Sequence, residues 1–376
     1  MGRLCCYHSP MSRPNHALIS ARALQHNLAR VRALMPGSRI MAAIKANAYG
    51  HGAKQCAAVL AAAGVDGFAV ASIEEAEEIH GLGLRPSCTV LAGAFSGEEL
   101  ALASAHGHRL VIHNQEQLYW IQNMDSSSSL EIFLKVDSGM HRLGFSPAEL
   151  PGVFNQLNAT RNISLRILGL LSHLARSDTP EDPYNTYQIE IFQKAVREFG
   201  HCTLGEHSLP NSGAILSMPQ SKTSWIRPGL MLYGLSPFVS ETGRALGLLP
   251  VLTWQSQIVS VRELPSGSWL GYGAAWQARE ASRVGIIACG YGDGYDRRLG
   301  NGAPIVVNGQ HSRTLGRISM DLCFADLTHS DARYGDSVLL MGGKELPLEE
   351  IAISLDTIPY EIGTRIASRV PRITIP

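Results

Sequence analysis

The chain has 376 residues, 45% of them apolar and 17% charged, and its 32 Lys+Arg balance its 32 Asp+Glu. That length suits two domains with a sizeable core, and the balanced charge removes the basic field that nucleic acid would require. Seven scattered cysteines without a CxxC pair or a secretory segment point to a reduced, cytoplasmic compartment, and no apolar run approaches the ~18 residues of a membrane span.

Residues 1–10 read as an N-terminal extension. Beyond them, short apolar runs alternate with helical patterns. Residues 40–44, 67–71, 89–92, 110–112, 130–136 and 167–171 are candidate buried strands. Helix-start signals follow several of them. Ser72 precedes Glu75 by three residues, Ser96 precedes Glu99, Asn114 precedes Gln117, and Ser146 precedes Glu149 with Pro147 between. Each pairs a capping oxygen with a side chain that reaches back to the cap. Strand, short loop and capped helix, repeated, build a parallel sheet. A (β/α)8 barrel competes here with an open doubly wound sheet. No GxGxxG follows an early strand, which counts against a dinucleotide-binding version.

Near residue 245 the pattern changes. Candidate strands follow at 253–262, 284–288, 305–307, 317–326 and 337–341, separated by Asn301-Gly302, Asn308-Gly309 and Gly342-Gly343. Capped helices nearly vanish until Leu348. The expected domains are 11–245, an α/β unit, and 246–376, mainly β.

Several residues invite chemistry. Lys45 ends the first apolar run, where the strand C-termini of a parallel barrel carry the active site. A desolvated lysine there has a lowered pKa and an amine free to form a Schiff base; a solvated lysine would look the same in sequence. Asn211-Ser212-Gly213 precedes a short helix candidate, and Arg227-Pro228-Gly229-Leu230 opens the next segment. Both suit an anion site in the loops after barrel strands 7 and 8, or an ordinary cap and turn. Lys135, Asp137, His141 and Arg142 cluster after the run 130–136, and Arg142 can grip a carboxylate through two N–H groups. His173 suits a core histidine equally well. Gly271-Tyr272-Gly273 reads as a turn. No HExxH, GxSxG, Walker A or paired-cysteine pattern supports a metal site or a serine hydrolase.

Together, Ala43-Ile44-Lys45-Ala46-Asn47-Ala48-Tyr49-Gly50-His51-Gly52, Lys135-Val136-Asp137-Ser138-Gly139-Met140-His141-Arg142, Ser172-His173, Asn211-Ser212, Ile226-Arg227-Pro228-Gly229, Gly271-Tyr272-Gly273, Ser319-Met320-Asp321 and Pro359-Tyr360-Glu361 stand in one order. In this the chain resembles the alanine racemase family, from about Arg13 to its C-terminus. The resemblance implies an N-terminal (β/α)8 TIM-like barrel that binds pyridoxal 5'-phosphate, followed by a mainly β domain. It implies a cytoplasmic homodimer that interconverts L- and D-alanine, supplying D-alanine for peptidoglycan or catabolising it.

The resemblance also implies roles. Lys45 is similar to the lysine that holds the cofactor and acts as base on one face of the substrate, and Tyr272 to the base on the other. Tyr49, Ser212, Tyr360 and the backbone of Gly229 and Leu230 resemble the phosphate cradle. Arg227 resembles the partner of the pyridine nitrogen, with His173 beside it. Arg142 and Met320 resemble the substrate carboxylate site, with Lys135 and Asp321 in support. Lys135 aligns with a lysine that some members carbamylate, and Tyr272 and Met320 serve the partner's site in the family. Pro210 stands where alanine is commoner.

These residue types suit the task. Racemisation removes a proton from one face of a carbon and returns one to the other, which calls for two opposed bases. Tyrosine, with a reference pKa near 10, needs cationic or hydrogen-bonding neighbours to act near neutrality. Arginine only donates, so it cannot protonate the pyridine nitrogen as an acid would, and transamination should be suppressed. A non-catalytic cofactor-binding barrel would lack the β domain with Tyr272 and Met320. A decarboxylase would carry an acid at the ring nitrogen and a cysteine near the C-terminus, where this chain has Arg227 and Tyr360.

Overall fold

A computed structural model describes residues 13–376, so the extension at 1–10 lies outside the described residues. Two compact units divide the chain: 21–249, and the residues up to Ser20 together with Pro250–Ile375. The expected division at 245 and 246 differs from this in one main respect. Strand β1 (His16–Ser20) belongs with the second unit, because it pairs parallel with Arg372–Ile375 and antiparallel with Leu252–Leu264. Both partners lie more than 200 residues away in sequence, so no local pattern could assign it.

The unit 21–249 is built on parallel strands β2 (Arg39–Ala43), β3 (Gly67–Val70), β4 (Cys88–Val90), β5 (Arg109–Ile112), β6 (Ser129–Lys135), β7 (Ser164–Leu171) and β8 (Trp225–Ile226). Their order is β7-β6-β5-β4-β3-β2-β8. Ser208 closes the ring, bridging in parallel to Leu171 of β7 and Trp225 of β8. Its N–H donates to Leu170 at 2.9 Å and its carbonyl accepts from Ser172 at 3.0 Å. Gly169 makes that seam possible: a Cβ there would lie 2.3 Å from the carbonyl oxygen of Glu206. The eighth position is thus a single bridging residue, and the sheet is a closed (β/α)8 barrel.

Inside it pack Met41, Ala43, Ala69, Val111, Phe133, Leu168, Leu171 and Trp225. Helices cover the outer face, so the strands are buried on both sides and read as continuous apolar runs rather than alternating ones. Two caps form as the spacing predicts. Ser96 accepts the N–H of Glu99 while Glu99 accepts that of Phe95, and Asn114 and Gln117 repeat the exchange. At Ser72 the side chain makes no cap bond, while Glu75 makes the same reach back, to the N–H of Ala71. Ser146 starts no helix. The Glu149 carboxylate folds back on both its N–H and its hydroxyl, at 2.8 and 2.7 Å, closing a turn ahead of the helix Leu150–Ala159.

The second unit contains β9 (Leu252–Leu264), the short pair β10 (Trp269–Leu270) and β11 (Trp276–Gln277), then β12 (Ser282–Ile287), β13 (Pro304–Val307), β14 (Gln310–Leu315), β15 (Cys323–Asp326), β16 (Ser337–Gly342) and β17 (Arg372–Ile375). The order β12-β15-β14-β13-β16-β9-β1-β17 gains a β12–β9 pairing, so six strands form a small closed ring. β9 does this by splitting its length: its first half pairs with β16 and its second with β12. Asn308 and Gly309, at φ 50° and 78°, make the tight hairpin between β13 and β14. The strand expected at 317–326 is only half present. Gly316 turns at φ 59°, residues up to Leu322 form a loop, and pairing resumes at Cys323. Among the described residues, no helix is long and apolar enough to cross a membrane.

Candidate active site

β2 delivers Lys45 to the rim where the strand C-termini open, two residues beyond Ala43. The backbone then does something the sequence does not announce. Ala46, Asn47, Ala48 and Tyr49 have φ of 50°, 54°, 54° and 54°, one left-handed helical turn made without glycine. L-residues resist this by about 1–2 kcal/mol each, so the surroundings must hold the turn. Glu75, from the helix Ile73–His80, accepts the N–H of Ala46 at 2.7 Å. The Asn47 side chain accepts the N–H of Ala53 at 2.7 Å. Buried His51 meets the carbonyls of Ala48 and Tyr49 through Nδ1, at 3.1 and 3.0 Å. Strain over-determined by its neighbours is characteristic of functional sites.

The Tyr49 ring packs 5.1 Å from that of Tyr233, whose hydroxyl donates to the carbonyl of Ala43 at 2.7 Å. Across from Tyr49 runs the Pro228–Leu230 backbone. A Cβ on Gly229 would lie 2.5 Å from the Tyr49 hydroxyl oxygen, so this close approach requires glycine. The Ser212 hydroxyl oxygen accepts the N–H of Gly229 at 2.9 Å and that of Met231 at 3.4 Å. Asn211 is the cap expected of it, accepting the N–H of Ala214. Leu230 is buried at the start of the next turn.

Arg227 is buried, and it donates to the Ser208 hydroxyl at 2.6 Å and the carbonyls of Ser172 at 2.5 Å and Leu209 at 3.2 Å. It also lies 3.3 Å from His173 Nδ1. Burial lowers its pKa to about 10, so it stays charged at neutral pH. His173 is held well below its ordinary pKa, first by burial and then by Arg227 and Lys135, so it is neutral and accepts from the guanidinium. Burial also depresses Lys135 strongly, with Arg227 and Arg142 adding to it. Lys45 is lowered by burial and by Arg142, against a pull upward from Glu75. Arg142 is exposed, on a loop organised by Asp137, which accepts the N–H groups of Gly139 and His141 at 2.9 and 3.0 Å.

Nine predicted residues therefore gather in one unit: Lys45, Tyr49, Lys135, Arg142, His173, Ser212, Arg227, Gly229 and Leu230. Burial and the guanidinium groups of Arg142 and Arg227 disfavour the protonated form of Lys45 and Lys135, in the same unit as a hydroxyl and close backbone N–H groups. Such a site fits an anionic, phosphorylated aldehyde that condenses with the Lys45 amine.

The other four, Tyr272, Met320, Asp321 and Tyr360, stand on the second unit. Tyr272 sits on a turn between Gly271 and Gly273, at φ 68° and 69°, with its side chain exposed. Met320, also exposed, is fixed through its backbone: its carbonyl accepts from Gly292 at 2.8 Å and from Arg369 at 3.3 Å. Asp321 binds Arg369 at 2.8 Å. Beneath this loop, buried Asp293 joins Arg13 and Arg369. Tyr360 lies in the helix Pro359–Thr364 and is half-buried.

Sequence reasoning missed Glu75, Ser208 and Tyr233 as parts of the site's frame. Glu75 carried a signal, the spacing from Ser72, but its second bond to Ala46 did not.

Residues 19–237 match the family "Alanine racemase, N-terminal domain" and residues 251–374 "Alanine racemase, C-terminal domain". The alanine racemase of Acidithiobacillus ferrooxidans is 55% identical over 363 residues, covering 96% of this chain and 99% of that protein. The biosynthetic alanine racemase from Pseudomonas aeruginosa superposes with a TM-score of 0.86 at 37% identity, covering 97% of this chain and 100% of that chain. The alanine racemase from Bacillus anthracis with bound L-Ala-P gives 0.89 at 28% identity, over 98% and 96%.

Proposed function

This chain belongs to the alanine racemase family and is an amino-acid racemase; we propose that it interconverts L- and D-alanine with Lys45 and Tyr272 as opposed bases. The observation that carries the proposal is the depressed lysine amine just beyond the end of β2, in the same unit as the Ser212–Gly229 cradle. Bound at Lys45, pyridoxal 5'-phosphate supplies the electron withdrawal that acidifies the substrate carbon.

The chain's own residues do the rest. A lowered pKa leaves the Lys45 amine neutral more of the time and able to take a proton from one face. Tyr49, Ser212, Tyr360 and the N–H groups of Gly229 and Leu230 hold the phosphate. Arg227 would donate to the pyridine nitrogen without giving up its proton, and His173 beside it would hold its orientation. An arginine there would limit protonation of the ring and should suppress transamination. Arg142 and the Met320 backbone take the substrate carboxylate, with Lys135 and Asp321 in support.

Tyr272 and Met320 serve the partner's site in a homodimer, a reading supported by their exposure on their own unit. The five described cysteines are all free thiols, which suits a cytoplasmic enzyme. The likeness to a biosynthetic relative supports supply of D-alanine for peptidoglycan.

Purified protein incubated with L-alanine should lose optical rotation in a manner dependent on pyridoxal phosphate; unchanged rotation with cofactor bound overturns the activity. Tyr272→Phe should slow proton abstraction from L-alanine more than from D-alanine. Equal losses in both directions, read from solvent deuterium entry into each enantiomer, overturn the two-base assignment.

A further inference from the structure

At the opposite end of the barrel, three ligating side chains converge. Glu77 lies on the helix Ile73–His80, His106 is the last residue of the helix Gly97–His106, and His108 immediately precedes β5. Gly107 between the histidines sits at φ 69°, the left-handed cap that reverses the chain and turns both rings onto one carboxylate. His106 Nδ1 lies 2.8 and 2.9 Å from the two Glu77 oxygens, and His108 Nε2 lies 2.8 Å from Oε1. The three ligand atoms all fall within 4.8 Å of one another. His80, one turn along from Glu77, stacks flat on His106 with centroids 4.4 Å apart and meets His108 edge-on at 5.6 Å.

We propose that Glu77, His106 and His108 form a divalent transition-metal site that takes zinc, with water completing a tetrahedron. Two imidazoles and one carboxylate are a common zinc donor set. Zinc–ligand bonds of about 2.0–2.2 Å place tetrahedral ligand atoms about 3.3 Å apart. The present 2.8 Å contacts need only open by about half an ångström to admit the ion. His108 is 4% exposed, so its ring is held in place by packing. In the bound form each ring would carry its one proton on the nitrogen away from the ion. The stack with His80 holds the His106 plane. Metal here would tie the helix Ile73–His80 to the helix Gly97–His106 and to β5, far along the barrel from Lys45.

The test uses the cofactor-loaded full chain, stripped with a chelator and titrated with cobalt(II). One equivalent should bind with the intense visible bands of a low-symmetry site, and zinc should displace it. His106→Asn and Glu77→Gln should each weaken binding by at least about tenfold while racemisation by His106→Asn stays unchanged. His106 is partly exposed, so that variant should fold, and its bound-cofactor spectrum checks this. Absence of a stoichiometric band overturns the site. So does equal affinity in both variants, which would put the metal elsewhere.

Discussion

The two ends of the barrel treat charge in opposite ways. At the strand N-termini each arginine has an acid. Arg39 pairs with Glu206 at 3.0 Å, Arg109 with Glu131 at 3.0 Å, and Arg166 also with Glu131. Trp225 lies among them, donating to Glu206 at 3.0 Å, with the guanidinium groups of Arg39 and Arg109 over its ring at 4.4 and 5.3 Å. At the strand C-termini, burial and then Arg142 and Arg227 lower the proton affinity of Lys45 and Lys135, beside a backbone turn of the unfavoured hand. The first arrangement stabilises the folded chain; the second costs stability and leaves positive charge for a ligand to neutralise. This is the division of labour expected of such barrels, with chemistry on one face and stability on the other.

Substitutions can break or sharpen the contrast. Lys45→Ala should reduce racemisation by about 10³-fold or more, with loss of dialysis-resistant cofactor absorbance; a variant that keeps its colour contradicts the attachment. Gly229→Ala, whose Cβ would press on the Tyr49 hydroxyl at 2.5 Å, should weaken pyridoxal phosphate by about tenfold, given overpacking costs of about 1–3 kcal/mol. Fluorescence titration of the stripped protein reads this directly.

Acid should act next. His16, His108, His113, His173 and His207 all have pKa values lowered, each chiefly by burial. Below about pH 6.5 the unfolded chain binds protons that the folded chain refuses. Their stability is therefore complete above that pH and declines as pH falls through it. The urea midpoint should drop between pH 7.5 and 5, and a rise would contradict these directions. Smallest of all, Arg39→Ala at the paired end should cost only about 1 kcal/mol, since half-exposed ion pairs and cation–π contacts are each worth that or less. Its kcat should be unaltered; a matching loss of activity would erase the contrast.

Much of this was legible in the sequence where signals are local. Ser96 with Glu99 and Asn114 with Gln117 marked helix starts correctly because cap and partner lie three residues apart. Ser146 carried the same signal and misled, because Glu149 satisfied it within a turn. The residues of the lysine rim were found through their resemblance to a family; burial and charge coupling, which give them their chemistry, arise only when distant strands meet. Ser208 looks like any serine until β7 and β8 flank it. β1 could not be assigned from five residues whose partners lie at the other end of the chain. Nor does Ala46-Asn47-Ala48-Tyr49 contain a glycine to warn of positive φ. The outside bonds from Glu75 and His51 impose that turn.

That turn has a stereochemical corollary. Its φ values are those that mirror-image residues adopt at rest. Ala46 is exposed, so a chain assembled by chemical synthesis with D-alanine at this one position would keep the backbone path and shed about 1–2 kcal/mol of local conflict. The segment beside the reactive lysine is thus a stretch of polypeptide more at ease with the enantiomer the ribosome does not use.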